Sequence, residues 1–168
     1  MVQVYWVLLL FLPHGPWLVA GFLLGAVLEL SVPVVAERPA PTAYHPHHIA
    51  ERYGLFTVIV LGESVTAATL AFQSAMDRSG HSATIIGMAA AAVITMFCLW
   101  WVYFDHESVP EINAARAAFL WGYGHYLLFA AAAAVGAGLV VAVAYEEQET
   151  HGISYVVSAA ATTVPVAI

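Results

Sequence analysis

Residues 117–144 read AAFLWGYGHYLLFAAAAAVGAGLVVAVA, a run of 28 residues without a single Asp, Glu, Lys or Arg. As a helix this run would be about 42 Å long, which exceeds the roughly 30 Å thickness of the hydrocarbon core of a bilayer. The whole chain of 168 residues is 62% hydrophobic and only 9% charged, whereas globular domains carry about 25% charged residues. The sequence therefore predicts a membrane protein.

Four complete membrane spans are predicted, each bounded by polar or Pro-containing sequence. They cover about residues 16–36, 48–72, 82–104 and 114–144, and partial apolar runs cover 1–12 and 152–168. In lipid, only helices and closed barrels form hydrogen bonds with all of their backbone N–H and C=O groups. Strands of a membrane barrel alternate apolar and polar residues, and the long unbroken apolar runs of this chain lack that alternation. We therefore expect an all-α, polytopic transmembrane helical bundle. Residues 1–168 are interpreted as a single membrane domain, a fragment of a larger polytopic protein.

The charged residues narrow the range of partners. Lys is absent and Arg occurs four times, which argues against nucleic acid, because phosphate binding depends on basic side chains. No glycine-rich phosphate loop is present, and no cofactor is expected. The expected partners are the lipid bilayer, a small ion or solute, and the missing amino-terminal helices of the same protein. The oligomeric state stays open.

The arginines also predict the orientation in the membrane. Arg38, Arg52 and Arg116 fall on one side of the predicted bilayer, and Arg78 falls on the other. Cytoplasmic loops carry an excess of basic residues, so the side with three arginines is predicted to be cytoplasmic.

Three ionisable residues are predicted to lie within the spans. A charge at the bilayer centre costs roughly 2.5 to 3.5 kcal/mol, so Glu63, in the middle of the second span, indicates a functional site. His125 in the fourth span enters from the same side and is expected at the depth of Glu63, to within about one helical turn. Glu29 in the first span is expected about 10 Å from that same face. All three would then share one layer of the membrane.

One stripe of the second span contains, at helical spacing, His48, Arg52, Phe56, Ile59 and Glu63, so it carries an imidazole, a guanidinium and a carboxylate. This face is expected to point into the bundle or into a water-filled cavity, and Glu51 neighbours its first residue. At the end of the third span, Asp105 is expected to form an ion pair with Arg52 or Arg116, or to belong to a permeation or proton path.

A metal site is a weaker prediction for the cytoplasmic side. Imidazole and carboxylate groups are common ligands of zinc and iron. The candidates are His48, Glu51 and His106, accompanied by further groups on that side, His45, His47 and Asp105. No H-E-x-x-H motif is present to strengthen this reading.

Several segments resemble the bacterial low temperature requirement A family. They are residues 48–56, HIAERYGLF; 58–64, VIVLGES; 100–105, WWVYFD; and GHY at 124–126, leading to AVGAGL at 134–139. The resemblance implies a bacterial multi-pass protein of the inner membrane, and family members are longer than this chain. It implies a part in growth in the cold but no substrate or reaction. The matching positions are His48, Glu51, Arg52, Gly62, Glu63, Asp105 and His125.

Three functions remain open. The first is a transporter or permease in which Glu63 binds a proton or cation, His125 and Glu29 assist, and Arg52 with Asp105 forms a cytoplasmic gate. A second is a membrane-embedded metal-dependent enzyme acting on lipid. The third is a scaffold whose polar residues only hold helices together.

Overall fold

The computed structural model describes residues 2–11, 13, 15–38, 43–79, 82–105, 115–148 and 152–168, without the side chains of residues 79 and 115. Six helices occupy these residues: α1 (Val2–Leu9), α2 (Pro16–Ala36), α3 (Pro46–Ser79), α4 (Ala83–Phe104), α5 (Ala115–Glu146) and α6 (Tyr155–Val166). No strand occurs in the described part of the chain. The predicted all-α fold is confirmed, and α2 to α5 are each long and apolar enough to cross a membrane.

The chain divides into two compact units, Met1–Tyr44 and His45–Ile168. In the first unit, α1 packs on α2 at Gly25, where a Cβ atom would lie 2.7 Å from the Tyr5 ring and 2.8 Å from the Trp6 ring. Glycine is required at this point because the two aromatic rings occupy the space of a side chain. Pro16 begins α2, a position at which its missing N–H is harmless.

In the second unit, α3 packs against α4 and α5, and α6 packs against α5. Its buried core consists of Leu61, Ala68, Phe72 and Ala75 of α3, Ile85, Ala92 and Met96 of α4, and Ala132, Val135, Leu139 and Val143 of α5. Many large apolar side chains face outward instead, such as Val93 and Phe97 of α4. Exposed apolar surface of this extent is typical of helices that face lipid.

The predicted spans agree with the helices, but α3 continues beyond its predicted end at residue 72 to Ser79. Hydropathy measures the preference for lipid, whereas a helix can continue into water as long as its backbone hydrogen bonds are kept. At 34 residues α3 is about 51 Å long, and α4, at 22 residues, is about 33 Å long. The 21-residue α2 and the 22-residue α4 therefore match the thickness of the membrane, whereas α3 exceeds it.

Small residues set the distance between helices in two places. A Cβ atom at Gly136 of α5 would lie 2.8 Å from the Ser64 Cα atom of α3, and one at Gly138 would collide with the Ala161 carbonyl of α6. Gly136 and Gly138 therefore allow α5 to approach both neighbouring helices closely. The small residues Ala83, Gly87 and Ala91 of α4 are exposed. The buried side chains of α4 are those of Ile85, Ala92 and Met96.

Candidate functional site

The end of α4 gives a reference level for depth in the second unit. A Cβ atom at Gly54 of α3 would lie 3.5 Å from the Phe104 ring, so residue 54 of α3 is level with the last residue of α4. Because α4 has the length of one complete membrane crossing, we assign one boundary of the hydrocarbon core to this level. The first two turns of α3 therefore extend beyond that boundary.

Glu63 lies deep in the membrane on an exposed face of α3. It is nine residues from Gly54 along the helix, which places it about 14 Å from the boundary level. Its side chain is exposed, and among the described residues no hydrogen bond or ion pair reaches its carboxylate. A carboxylate without a protein partner is therefore held at a depth where charge is costly.

The predicted polar stripe of α3 does not point into the core of the second unit. His48, Arg52, Phe56, Ile59 and Glu63 are all exposed, with Ile59 at 59% of its maximal exposure. The α3 face that meets α5 carries Ser64, whose hydroxyl lies 3.0 Å from the Ala132 carbonyl oxygen. Because neighbouring helical residues differ by about 100° in direction, turning Ser64 toward α5 turns Glu63 outward.

His125 is buried near the boundary level in a separate polar group. Its Nδ1 atom lies 2.8 Å from the Trp121 carbonyl oxygen, which can only accept, so Nδ1 carries the proton of the neutral ring. Its Nε2 atom then accepts from the Tyr103 hydroxyl of α4 at 3.1 Å. The rings of Tyr53 and Phe129 also contact the imidazole. Both ring nitrogens of His125 are thus occupied by the protein itself.

Glu63 and His125 are not brought together. Tyr103 stands in the last turn of α4, so its partner His125 lies near the boundary, whereas Glu63 neighbours Ser64, which contacts Ala132. Residue 132 is seven residues beyond residue 125, which corresponds to about 10 Å along α5. The expectation of a common depth within one helical turn is therefore not met.

Glu29 belongs to the first unit, where it has two partners of its own. One carboxylate oxygen accepts from Gln3 Nε2 at 3.1 Å, and the other accepts from Trp6 Nε1 at 3.0 Å. Both donors are on α1, so Glu29 ties α1 to α2 within this unit. Glu29 is thus satisfied by N–H donors, whereas no donor among the described residues reaches Glu63.

The family model of the bacterial low temperature requirement A protein (LtrA) matches residues 1–168. The chain belongs to this family. The match includes residues 1–44, which lie outside the motifs that carry the resemblance. Comparisons with curated proteins and with solved structures give no match. Family membership and four apolar helices of membrane-spanning length make this LtrA chain a multi-pass integral membrane protein.

The remaining predicted site residues of the LtrA chain lie near the boundary level. Asp105 is exposed just after α4, and the described residues form no ion pair between it and Arg52 or Arg116. His48 Nδ1 lies 3.2 Å from Glu51 Oε2, in an exposed pair on the first turns of α3. Arg52 is exposed one turn beyond His48.

For the predicted metal site of this LtrA chain, the described residues supply no ligand in addition to His48 and Glu51. His48 and Glu51 are in contact, but within the described ranges no group of three His, Cys, Asp or Glu side chains is arranged to hold a metal. His106, the third candidate, lies outside the described residues.

Two features of the LtrA chain were missed from the sequence. The Tyr103 hydroxyl lies 3.1 Å from His125 Nε2 inside the second unit. The ends of α3 and α5 opposite the boundary level are joined by an ion pair, with Arg78 Nε 3.7 Å from Glu147 Oε2. Neither contact could be predicted from the sequence. Each joins residues on two different helices, and whether those residues meet depends on how the helices are rotated about their axes.

Proposed function

We propose that this LtrA protein is a transporter or permease of the bacterial inner membrane, in which Glu63 binds a proton or small cation. The observation that carries the proposal is the carboxylate of Glu63, exposed about 14 Å inside the membrane and without a partner among the described residues. Ionisable residues inside membrane spans face water-filled cavities or pair with one another, and they mark ion and substrate paths.

The contrast with Glu29 supports this assignment. Glu29 accepts hydrogen bonds from Gln3 and Trp6 and thereby stabilises the contact of α1 with α2. Interhelical polar contacts in membranes contribute on average about 0.6 kcal/mol, which is less than the roughly 2.5 to 3.5 kcal/mol that a central charge costs. Glu63 makes no such contact within the described part of the chain, so a role in holding helices together does not account for it.

The exposed stripe of α3 would supply one wall of the path. It runs from His48 and Arg52 beyond the boundary level, across Phe56 and Ile59, to Glu63. Arg52 and Asp105 are proposed to control entry, because both are charged and exposed near the boundary at which α4 ends. His125 is left out of the ion-binding group, since Trp121 and Tyr103 occupy both of its ring nitrogens.

The test is a flux measurement in liposomes with the whole protein. Internal pH and membrane potential are recorded for the wild type, Glu63→Gln and Glu29→Gln, across a panel of ion and solute gradients. We expect a flux that Glu63→Gln abolishes and Glu29→Gln retains in every correctly folded sample. An equal flux in Glu63→Gln and wild type, or no flux in any variant, would contradict the proposal.

The other two functions have less support from the geometry. A lipid-modifying metalloenzyme would use the pair of His48 and Glu51, which contact each other on the exposed start of α3. A scaffold would explain the His125 group and Glu29 but not the exposed carboxylate of Glu63. We therefore propose the transport function alone.

A further inference from the structure

We infer that the ligand of Glu63 is a proton, carried as the neutral carboxylic acid, and not a divalent metal ion. This inference rests on the proposed function, because it names the species that the same carboxylate binds. Three features of the α3 face carry it: the number of oxygen atoms near Glu63, the apolar neighbours along the stripe, and the distance to the nearest basic group on that stripe.

The helix around Glu63 offers few oxygen ligands. Ser64 is turned away, and its hydroxyl lies within hydrogen-bond distance of the carbonyls of Val60 and Ala132. The Thr66 hydroxyl donates to the Gly62 carbonyl at 2.9 Å, so only its lone pairs remain available. Ca²⁺ takes about six to eight oxygen ligands and Mg²⁺ an octahedral set. On the described face of α3, one carboxylate and one hydroxyl do not supply such a shell.

The neighbours of Glu63 on the stripe do not compensate a negative charge. One turn back along α3 stands Ile59 and two turns back stands Phe56, both apolar and more than half exposed. Arg52 on the same stripe is eleven residues away, about 16 Å along the helix, which is too far for an ion pair. Among the described residues of this stripe, none supplies a positive charge close enough to neutralise the carboxylate.

The same face leaves room for a proton to arrive and depart. A Cβ atom at Gly62 would meet nothing within 4 Å, so the surface next to Glu63 is open on this side of α3. A proton needs one acceptor oxygen and no coordination shell, which matches what Glu63 offers. Uptake gives the neutral acid and release restores the carboxylate, and no other bond is made or broken.

Chemical modification distinguishes these ligands without requiring transport. A hydrophobic carbodiimide adds to a protonated carboxyl group, and the acid proton moves to a reagent nitrogen. The O-acylisourea that forms then rearranges to a stable N-acylurea, so the whole reagent is retained. The wild type, Glu63→Gln and Glu29→Gln are treated in lipid nanodiscs over a range of pH, with and without Na⁺, K⁺, Mg²⁺, Ca²⁺ or tetramethylammonium, and the labelled peptide is identified by mass spectrometry.

We expect labelling at Glu63 that falls as the pH rises, that is unchanged by every added cation, and that persists in Glu29→Gln. Protection by one of the cations would overturn the inference while leaving the proposed transport function intact. A failure to label Glu63 at any pH would also overturn it. Labelling as expected, combined with no flux in liposomes, would refute transport but retain the proton as the ligand of Glu63.

Discussion

Gly136 lies where α5 approaches α3 closely, and replacing it by alanine tests the packing of the second unit. A Cβ atom there would lie 2.8 Å from the Cα and Cβ atoms of Ser64. Carbon atoms in contact are normally about 3.5 to 4.0 Å apart, so the helices would have to separate by at least about 0.7 Å. The bond between Ser64 Oγ and the Ala132 carbonyl, now 3.0 Å long, would grow to about 3.7 Å and be lost.

The expected loss of stability follows from these two changes. Overpacking of a closely packed site costs about 1 to 3 kcal/mol, and an interhelical hydrogen bond in a membrane contributes about 0.6 kcal/mol on average. Alanine also stabilises a helix by about 1 kcal/mol relative to glycine. The control must therefore be another Gly→Ala substitution within a helix. Gly124→Ala is that control, because it is in α5 and a Cβ atom there would meet nothing within 4 Å.

We therefore expect Gly136→Ala to lower the free energy of unfolding by about 1 to 3 kcal/mol relative to Gly124→Ala. The measurement is reversible unfolding of both variants in the same mixed micelles, followed by circular dichroism. Equal stability of the two variants would show that α3 and α5 are not held at the distance described, and would refute the reasoning.

Two further changes test the polar contacts. Tyr103→Phe removes the donor to His125 Nε2 and should lower the free energy of unfolding by about 1 kcal/mol in the same assay. Tyr126→Phe, at an exposed ring, should leave it unchanged, and similar losses in both would exclude a role for the hydroxyl. Glu29→Leu leaves the Trp6 indole N–H without its acceptor, whereas Glu29→Gln keeps one acceptor oxygen. Hydrogen exchange of this N–H, followed by NMR, should be faster in Glu29→Leu than in Glu29→Gln, and equal rates would contradict the described bond.

Much of the architecture could be predicted because it depends on local composition. The first span was predicted at residues 16–36 and is the helix Pro16–Ala36, and the third was predicted at 82–104 and is Ala83–Phe104. A membrane-spanning helix requires about 20 apolar residues in a row, and its backbone N–H and C=O groups must form hydrogen bonds with one another. Both conditions can be read along the chain without knowing which helices are neighbours. The family motifs are also short contiguous segments, so they can be recognised without knowing which helices are neighbours.

The arrangement around Glu63 depended on the tertiary structure. Helices that are apolar almost all round carry little information about which face turns inward. The stripe of Glu63 was expected to point into the bundle or a cavity, whereas Ser64 makes the contact with α5. Gly136 decides between them, because only a residue without a side chain admits the Ser64 backbone. The depth of His125 was likewise decided by Tyr103. The sequence alone thus determined the membrane class, the spans and the chemical groups within them. Only helix packing decided their rotation and relative depth, because close contact between helices depends on side-chain size at positions far apart in the chain.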